Sequence, residues 1–351
     1  MQRDMHFHAV YCLARAAGIR AEAARTIAHA SQYVDDAIDD ELVVLDGHAI
    51  LPVITSHKPY DWQNVQREEQ WNVWIPFHFV PGGEGETFRE RIACRKGSPL
   101  ARQLLEVALR DADRDWFLHA AGIALHAFAD TYAHQGFAGL ALEENVALPG
   151  SVEALGLRDP ALVAYVDAKL RRFLRRATRI FADRVAIGHA TVATFPDRPY
   201  MRWRYRRLVD AGDEEAVIER DNPRDYAQCA REVYRFFLAV RDARPDLAGR
   251  DPRKWGDVSR AVRKLVRVQA DLPGRIAAWR RALVEDRAFG AASAADRRVH
   301  YSARDWQVHR ALLTAGRQDG SPDAVLFARA ALELRYRFQQ ELLPAAGLGN
   351  V

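Results

Sequence analysis

The chain has little cysteine and no long apolar run. Cys12, Cys94 and Cys229 lie far apart in the 351 residues and form no Cys-x-x-Cys pair, so the sequence predicts neither a disulfide framework nor a zinc site built from thiolates. Nowhere does it reach the roughly 18 consecutive apolar residues of a membrane-spanning helix, and its first residues are too polar for a cleaved leader. We therefore expect a reduced protein of the cytoplasm.

A large excess of one charge is also lacking. Lys and Arg together number 51 and Asp and Glu 47, so the formal net charge is +4. An excess this small, spread evenly along the chain, predicts no specific nucleic-acid partner. A small molecule is the expected partner, and no particular oligomeric state is predicted. Hydrophobic residues make up 49% of the chain, which is typical of a globular protein and excludes wholesale disorder.

Apolar residues recur at helical spacing along most of the chain, and no long period-two alternation stands out. The sequence therefore predicts an all-α fold, in which residues 1–210 form a metal-binding helical core and residues 211–351 an Arg-rich helical extension packed on it. Residues 39–85, rich in Trp, Pro and Gly, are predicted to be a long irregular loop, a kind of segment that is often functional. The predicted helices cover about 7–17, 21–34, 99–113, 116–134, 160–187, 203–208, 224–241, 255–268, 272–285, 303–315 and 323–342.

The strongest functional signal is a histidine-rich stretch inside one predicted helix. His119, His126, Asp130 and His134 follow one another at intervals of 7, 4 and 4 residues. At about 100° per residue these positions lie near 0°, −20°, 20° and 60°, so they share one face of the helix. Imidazole and carboxylate groups at i, i+4 spacing are ligands that Zn²⁺ accepts. We predict that His126, Asp130 and His134 bind metal. His119 is predicted either to contact these ligands without binding the metal or to be a hydrogen-bonded histidine of the core.

One helix covers only one side of an ion, so further ligands must come from elsewhere in the chain. The second predicted helix ends in two adjacent carboxylates, and helical phase puts Asp35 about 80° and Asp36 about 180° from the apolar Ile27, which favours Asp35 as the inward one. The remaining candidates are imidazole or carboxylate side chains near the N-terminus, in the 39–85 loop and after the long helix: Asp4, His6, His8, His57, His78, His189 and Asp197.

The segment Leu125-His-Ala-Phe-Ala-Asp-Thr-Tyr-Ala-His134 resembles the core of the zinc-dependent phospholipase C and fungal single-strand nuclease superfamily. The first 200 residues also resemble an uncharacterised bacterial family with the same core. The resemblance implies a phospholipase C-like helical bundle with additional C-terminal helices, and a cluster of up to three zinc ions.

Carried onto this chain, the resemblance implies three sets of zinc ligands. One zinc would take Asp35, His78 or His57, His126 and Asp130. A second would share Asp130 as a bridge and add His8. A third would take His134, His189 and a carboxylate.

The chain departs from the superfamily in three respects. The spacing from Asp35 to His78 is long, which is why His57 remains an alternative. An N-terminal Trp, whose amine and carbonyl are often ligands in the superfamily, is missing, and Asp4 or His6 could replace it. The superfamily pattern also has an acid about four residues after the histidine that corresponds to His189. In this chain Ala193 stands at that position, and Asp197 comes eight residues after His189.

The expected function is that of a zinc-dependent hydrolase of phosphoester bonds. In that scheme Asp130 bridges two ions and Asp35 orients or deprotonates the attacking water, because zinc lowers the pKa of bound water towards neutrality. Arg198, Arg202 or Lys58 could hold an anionic substrate. Two alternatives remain open at this point: a metal-dependent hydrolase of an amide or ester in a small metabolite, and a non-catalytic helical protein braced by structural metal.

Overall fold

The computed structural model describes residues 1–39, 43–45, 48–50, 52–57, 62–180, 186–208, 215–307 and 323–349. The helices in chain order are a π-helical segment, Asp4–Ala9, that continues into α1 (Val10–Ala16), then α2 (Ala21–Asp36), α3 (Arg67–Glu69), a second π-helical segment (Gln70–Trp74), α4 (Ile75–Phe77), α5 (Phe88–Ile92), α6 (Pro99–Arg110), α7 (Phe117–His134), α8 (Pro160–Ile180), α9 (Asn222–Ala243), α10 (Trp255–Leu265), α11 (Leu272–Glu285), α12 (Ala294–Arg298), α13 (Asp323–Arg337), a third π-helical segment (Phe338–Leu342) and α14 (Leu343–Ala345).

The predicted all-α fold is wrong, because the chain is mostly helical but also contains small antiparallel sheets. In the described residues β1 pairs with β2, β3 with β5, and β4, β6 and β7 form a three-stranded sheet in that order. The strands are β1 (Val43–Leu45), β2 (His48–Ile50), β3 (Ala141–Leu142), β4 (Glu153–Leu155), β5 (Ala186–Ile187), β6 (Arg202–Leu208) and β7 (Glu215–Asp221).

Strand β6 corrects the predicted helix over 203–208. Trp203 and Tyr205 are buried, whereas Arg202, Arg204 and Arg206 are exposed. This alternation has the period of two that a strand with one covered face requires. Both aromatic rings pack against a small apolar cluster beneath the sheet that also contains Phe79, Phe137 and Phe195.

Two further boundaries differ from the prediction. The described part of the long helix runs to Ile180, and residues 186–187, which were predicted to be its last residues, form β5. The 39–85 segment is not irregular throughout, since it contains the β1–β2 hairpin and the helical stretch formed by α3, the second π-helical segment and α4. The predicted helix over 303–315 lies mostly outside the described residues.

Helix α7 is the centre of the molecule. All of its residues except Leu118 are buried, because α2, α6, α9 and α13 surround it. The main apolar cluster includes Phe7 and Leu125 together with Phe237 and Trp279, so side chains from both sides of residue 210 share one core. Among the described residues no helix has the length and apolar character needed to cross a lipid bilayer.

Helices α2 and α7 approach each other closely at Gly122. A Cβ atom at this position would lie 2.4 Å from the carbonyl oxygen of Ile27 and 2.9 Å from the backbone nitrogen of Ser31. Only a residue without a side chain fits between the two backbones. This close approach brings the end of α2, with its acidic residues, next to the histidine face of α7.

Candidate metal centre

Three groups of imidazole and carboxylate side chains meet around the buried face of α7. Within each group the possible ligand atoms all lie within 4.8 Å of one another. The groups are His6, His126 and Asp130; Asp35, His78 and His126; and His134, His189 and Asp197.

Asp130 lies at the junction of these groups, and its two oxygens face different neighbours. Oδ1 is 2.5 Å from the α-amine of Met1 and 3.1 Å from Nε2 of His6. Oδ2 is 3.3 Å from Nδ1 of His78 and 3.2 Å from Nε2 of His126. A carboxylate with each oxygen in a separate set of ligands has the geometry of a bridge between two cations.

The backbone fixes the orientation of four of the imidazoles. A carbonyl oxygen only accepts hydrogen bonds, so the ring nitrogen beside it carries the hydrogen and the other nitrogen of the neutral ring is a bare acceptor. In all four rings that second nitrogen faces the centre, as is usual for histidines that bind metal. Each of these hydrogen bonds runs from a ring nitrogen to a backbone carbonyl oxygen: His126 Nδ1 to Ser31 (2.6 Å), His78 Nε2 to Thr55 (2.8 Å), His134 Nδ1 to His78 (2.8 Å) and His189 Nδ1 to Ala193 (2.7 Å).

The inward-facing acceptors are spaced as ligands of one ion would be. Asp35 Oδ1 is 3.9 Å from His78 Nδ1 and 3.8 Å from His126 Nε2, and the two ring nitrogens are 3.2 Å apart. Tetrahedral zinc with bonds of about 2.0–2.2 Å separates neighbouring ligand atoms by about 3.3–3.6 Å. The residues therefore fit a metal ion.

The possible ligand atoms of the third group are spaced in a similar way. Asp197 Oδ1 lies 3.5 Å from His134 Nε2 and 3.7 Å from His189 Nε2. This oxygen is buried, lies 3.5 Å from the Met1 amine and accepts no hydrogen bond from the described residues, so it keeps lone pairs free for a metal ion.

The electrostatics of the centre also favour added positive charge. Asp35, Asp130 and Asp197 face one amine, that of Met1. Burial lowers the pKa of this amine, but Asp130 and Asp197 outweigh burial and raise it to about 11. Burial lowers the pKa of His189 to about 4, so its ring is neutral and brings no compensating charge. The buried carboxylates of Asp130 and Asp197 and the partly exposed one of Asp35 carry more negative charge than one amine balances, and a divalent cation would offset this excess.

The chain belongs to the DUF6765 family. Residues 1–342 match this family of unknown function, so the match includes all three groups of ligands and most of the chain beyond residue 210. No curated protein and no solved structure matches the chain.

In this DUF6765 chain the loop that carries His189 has an unusual backbone. Gly188 has φ +52°, and a Cβ there would lie 2.1 Å from the ring of Phe79, which itself stacks on His134 at 4.6 Å between centroids. Ala193 has φ +51° and is the only residue other than glycine with positive φ in the described residues. Its carbonyl accepts the hydrogen bond from His189. Backbone strain of this kind is concentrated at functional sites.

His6, and not His8, lies beside Asp130, which corrects the expected ligand set. His6 is fully buried and its ring stacks on that of His126 at 3.9 Å. His8 is two positions further along the same π-helical segment and therefore points to nearly the opposite side. Burial, together with the positive charges of Arg280 and Arg3, lowers the pKa of His8 to about 3.

Three other predicted ligands have partners outside the three groups. Asp4 forms a buried ion pair with Arg275 at 2.7 Å. His57 Nε2 lies 2.8 Å from Glu69 Oε2, and His78 is the histidine of its region that faces the centre. Of the two acids that end α2, Asp35 faces the centre, whereas Asp36 accepts hydrogen bonds from Tyr301 and Gln32.

The three basic candidates for substrate binding differ from one another. Arg198 is buried, donates to the Thr194 hydroxyl at 3.1 Å and lies over the ring of Tyr165. Arg202 is exposed and lies 3.8 Å from Asp221. Lys58 is outside the described residues.

Two groups at the centre have no recognisable signal in the sequence. The Met1 amine carries no side-chain signal, although the superfamily's use of an N-terminal amine pointed to it. Arg275 is one of many arginines in the C-terminal part, and no local pattern connects it to a site 271 positions away.

Proposed function

We propose that this protein is a metal-dependent hydrolase that uses a cluster of up to three zinc ions to activate water against phosphoester bonds. The observation that carries the proposal is the set of inward-facing atoms of Asp35, His78 and His126 beside Asp130, whose spacings suit the ligands of a tetrahedral zinc ion. The resemblance to the zinc-dependent phospholipase C and nuclease superfamily supports the same function.

Each side chain of the centre has a distinct role in this proposal. Zinc supplies a bound water of lowered pKa and stabilises charge on oxygens of the substrate. Asp130 joins the sets of ligands, and carbonyl-fixed imidazoles hold the remaining positions. Asp35 is 31% exposed at its side chain, more than Asp130 or His126, so it lies where water and substrate can enter, and it orients the water or accepts its proton.

Two features favour a phosphoester over an amide or carboxylic ester. Adjacent metal sites are suited to hold both the attacking and the leaving oxygen of a phosphoryl group. The buried guanidinium of Arg198 directly follows Asp197, and its Nη1 has no hydrogen-bond partner, which favours an anionic ligand. The three cysteines are buried free thiols, which suits a reducing compartment, and we propose that the protein is cytoplasmic.

Elemental analysis followed by a substrate panel tests the proposal. The full chain carries its purification tag at the C-terminus, so that the Met1 amine stays free. We expect at least one zinc per chain, loss of metal in Asp130→Asn, and hydrolysis of phosphodiesters or phosphomonoesters that a chelator abolishes. Absence of bound transition metal, before and after zinc supplementation, rejects the metal centre. Bound metal with turnover of amides or carboxylic esters alone rejects the phosphoester, and bound metal without turnover favours a structural role.

A further inference from the structure

Arg275 of α11 holds the N-terminal segment, Met1–His8, from the other half of the chain. Its guanidinium is 3% exposed and donates through Nε to Asp4 Oδ2 at 2.7 Å and through Nη2 to the side-chain carbonyl of Gln2. The third nitrogen, Nη1, donates to the carbonyl of Ala270 at 2.9 Å. All three nitrogens are thus engaged, two of them by the N-terminal segment.

The two residues that Arg275 holds, Gln2 and Asp4, lie in the sequence between the two that face the centre, Met1 and His6. Gln2 follows Met1, whose amine contacts Asp130, and Asp4 precedes His6, whose ring contacts the same carboxylate oxygen. A fixed guanidinium fork sets both the distance and the direction of its partners. Fixing Gln2 and Asp4 therefore determines where the Met1 amine and the His6 ring lie.

Arg275 also touches the loop that carries Asp197. Its guanidinium carbon lies 5.5 Å from the ring centroid of Tyr200, three residues after Asp197. One side chain of the C-terminal part thus contacts two segments that contribute to different groups of ligands.

We propose that Arg275 is a positioning residue of the metal centre, which aligns Met1 and His6 with Asp130 through Gln2 and Asp4. This inference rests on the proposed metal-binding function. The competing explanation is that Arg275 and Asp4 form a buried ion pair that stabilises the fold and has no specific effect on the centre.

The chain offers a matched control in the pair of Arg15 and Asp296. Arg15 Nε lies 2.7 Å from Asp296 Oδ1, and both side chains are buried. Like the pair of Arg275 and Asp4, it joins the N-terminal helix to the C-terminal part, but it contacts none of the ligands. Its loss should affect stability alone.

The experiment compares Arg275→Met, Arg275→Lys and Arg15→Met in the full chain by zinc stoichiometry, chelator competition and thermal unfolding. Arg275→Met is expected to lose one zinc equivalent or to bind it about 10- to 100-fold more weakly, the range for residues that orient metal ligands. Arg275→Lys should recover part of this loss, since an ammonium can pair with Asp4 but cannot fork to Gln2 as well. Arg15→Met should unfold at a lower temperature with the wild-type zinc content and affinity.

Wild-type zinc binding in a folded Arg275→Met variant overturns this inference and leaves the proposed function intact. A wild-type protein without metal overturns both. If Arg275→Met does not fold, the variants Asp4→Ala and Gln2→Ala, each of which removes one hydrogen-bond acceptor of the guanidinium, test the inference by the same measurement of zinc content and affinity.

Discussion

His6 and His8 are a natural pair for testing which imidazole belongs to the centre. His6 Nε2 lies 3.1 Å from Asp130 Oδ1, whereas His8 lies beside the basic residues Arg3 and Arg280. Both are buried histidines of one short segment, so replacing either by alanine removes the same group from a similar environment.

We expect His6→Ala to lose one zinc equivalent or to bind it at least about 10-fold more weakly, because a ligand next to the bridging carboxylate is gone. His8→Ala should keep the wild-type stoichiometry, with any loss confined to the free energy of unfolding. Zinc titration against a chromophoric chelator measures both. Equal loss in the two variants, or loss only in His8→Ala, would contradict the assignment of His6.

At the level of helices, the centre depends on how closely α2 approaches α7. The two backbones meet at Gly122, and α2 contributes both the Asp35 carboxylate and the Ser31 carbonyl that orients His126. Any side chain at Gly122 must push α2 away, since a Cβ would lie 2.4 Å from the Ile27 carbonyl.

Gly122→Ala should lower the free energy of unfolding by about 1–3 kcal/mol, the usual cost of adding a methyl group where there is no room, and weaken zinc binding as Asp35 withdraws. The matched control is Gly256→Ala in α10, where a Cβ would meet nothing within 4 Å. That variant should be unchanged or up to about 1 kcal/mol more stable, because alanine is the better helix former. Urea unfolding and zinc titration test both, and a Gly122→Ala variant as stable as Gly256→Ala would refute the close approach.

The parts of the fold that the sequence could predict are those that local patterns determine. Helix α11 begins and ends at the predicted residues, since Asp271 caps its N-terminus and Pro273 lies in its first turn. The shared face of His126, Asp130 and His134 was predictable because one helix carries all three residues. Strand β6 was mistaken for a helix because seven residues are too few for period two to stand out.

The rest of the site depends on contacts that no local pattern contains. The choice of His6 over His8 depends on the phase of a π-helical segment, in which hydrogen bonds run from i to i+5, and an α-helical reading of the sequence does not anticipate that phase. The contact of Arg275 with Asp4 joins residues 271 positions apart, and only the folded chain brings them together.

Over the whole molecule, the contact between Arg15 and Asp296 makes stability depend on pH. Burial raises the pKa of Asp296, but hydrogen bonds from Arg15, Ser293 and Tyr11 outweigh it and hold the pKa well below its usual range. A carboxyl group with a lowered pKa stabilises the fold fully above its unfolded pKa of about 3.9, and this contribution is lost as the pH falls towards the folded pKa.

Asp296→Asn should therefore cost about 3–5 kcal/mol at pH 7, since it leaves the buried Arg15 without a counter-charge. Between pH 7 and pH 3 the difference from wild type should shrink by about 1 kcal/mol, as the wild-type carboxylate begins to bind a proton on unfolding. Urea unfolding of the chelated proteins at both values measures this change. A difference that stays constant with pH would show that the charge of Asp296 is not what stabilises the fold.

The hydrogen bonds from four imidazoles to backbone carbonyls have a consequence for how the protein would take up ions. Restricting the rotation of a buried side chain costs on the order of 1 kcal/mol, and here that entropy is lost when the chain folds rather than when an ion enters. Binding then needs little rearrangement, so more of its free energy appears as affinity. An ion bound between these imidazoles would meet nitrogens that are already held in place, and discrimination between metals would then follow from ionic radius and preferred geometry rather than from adjustment of the protein.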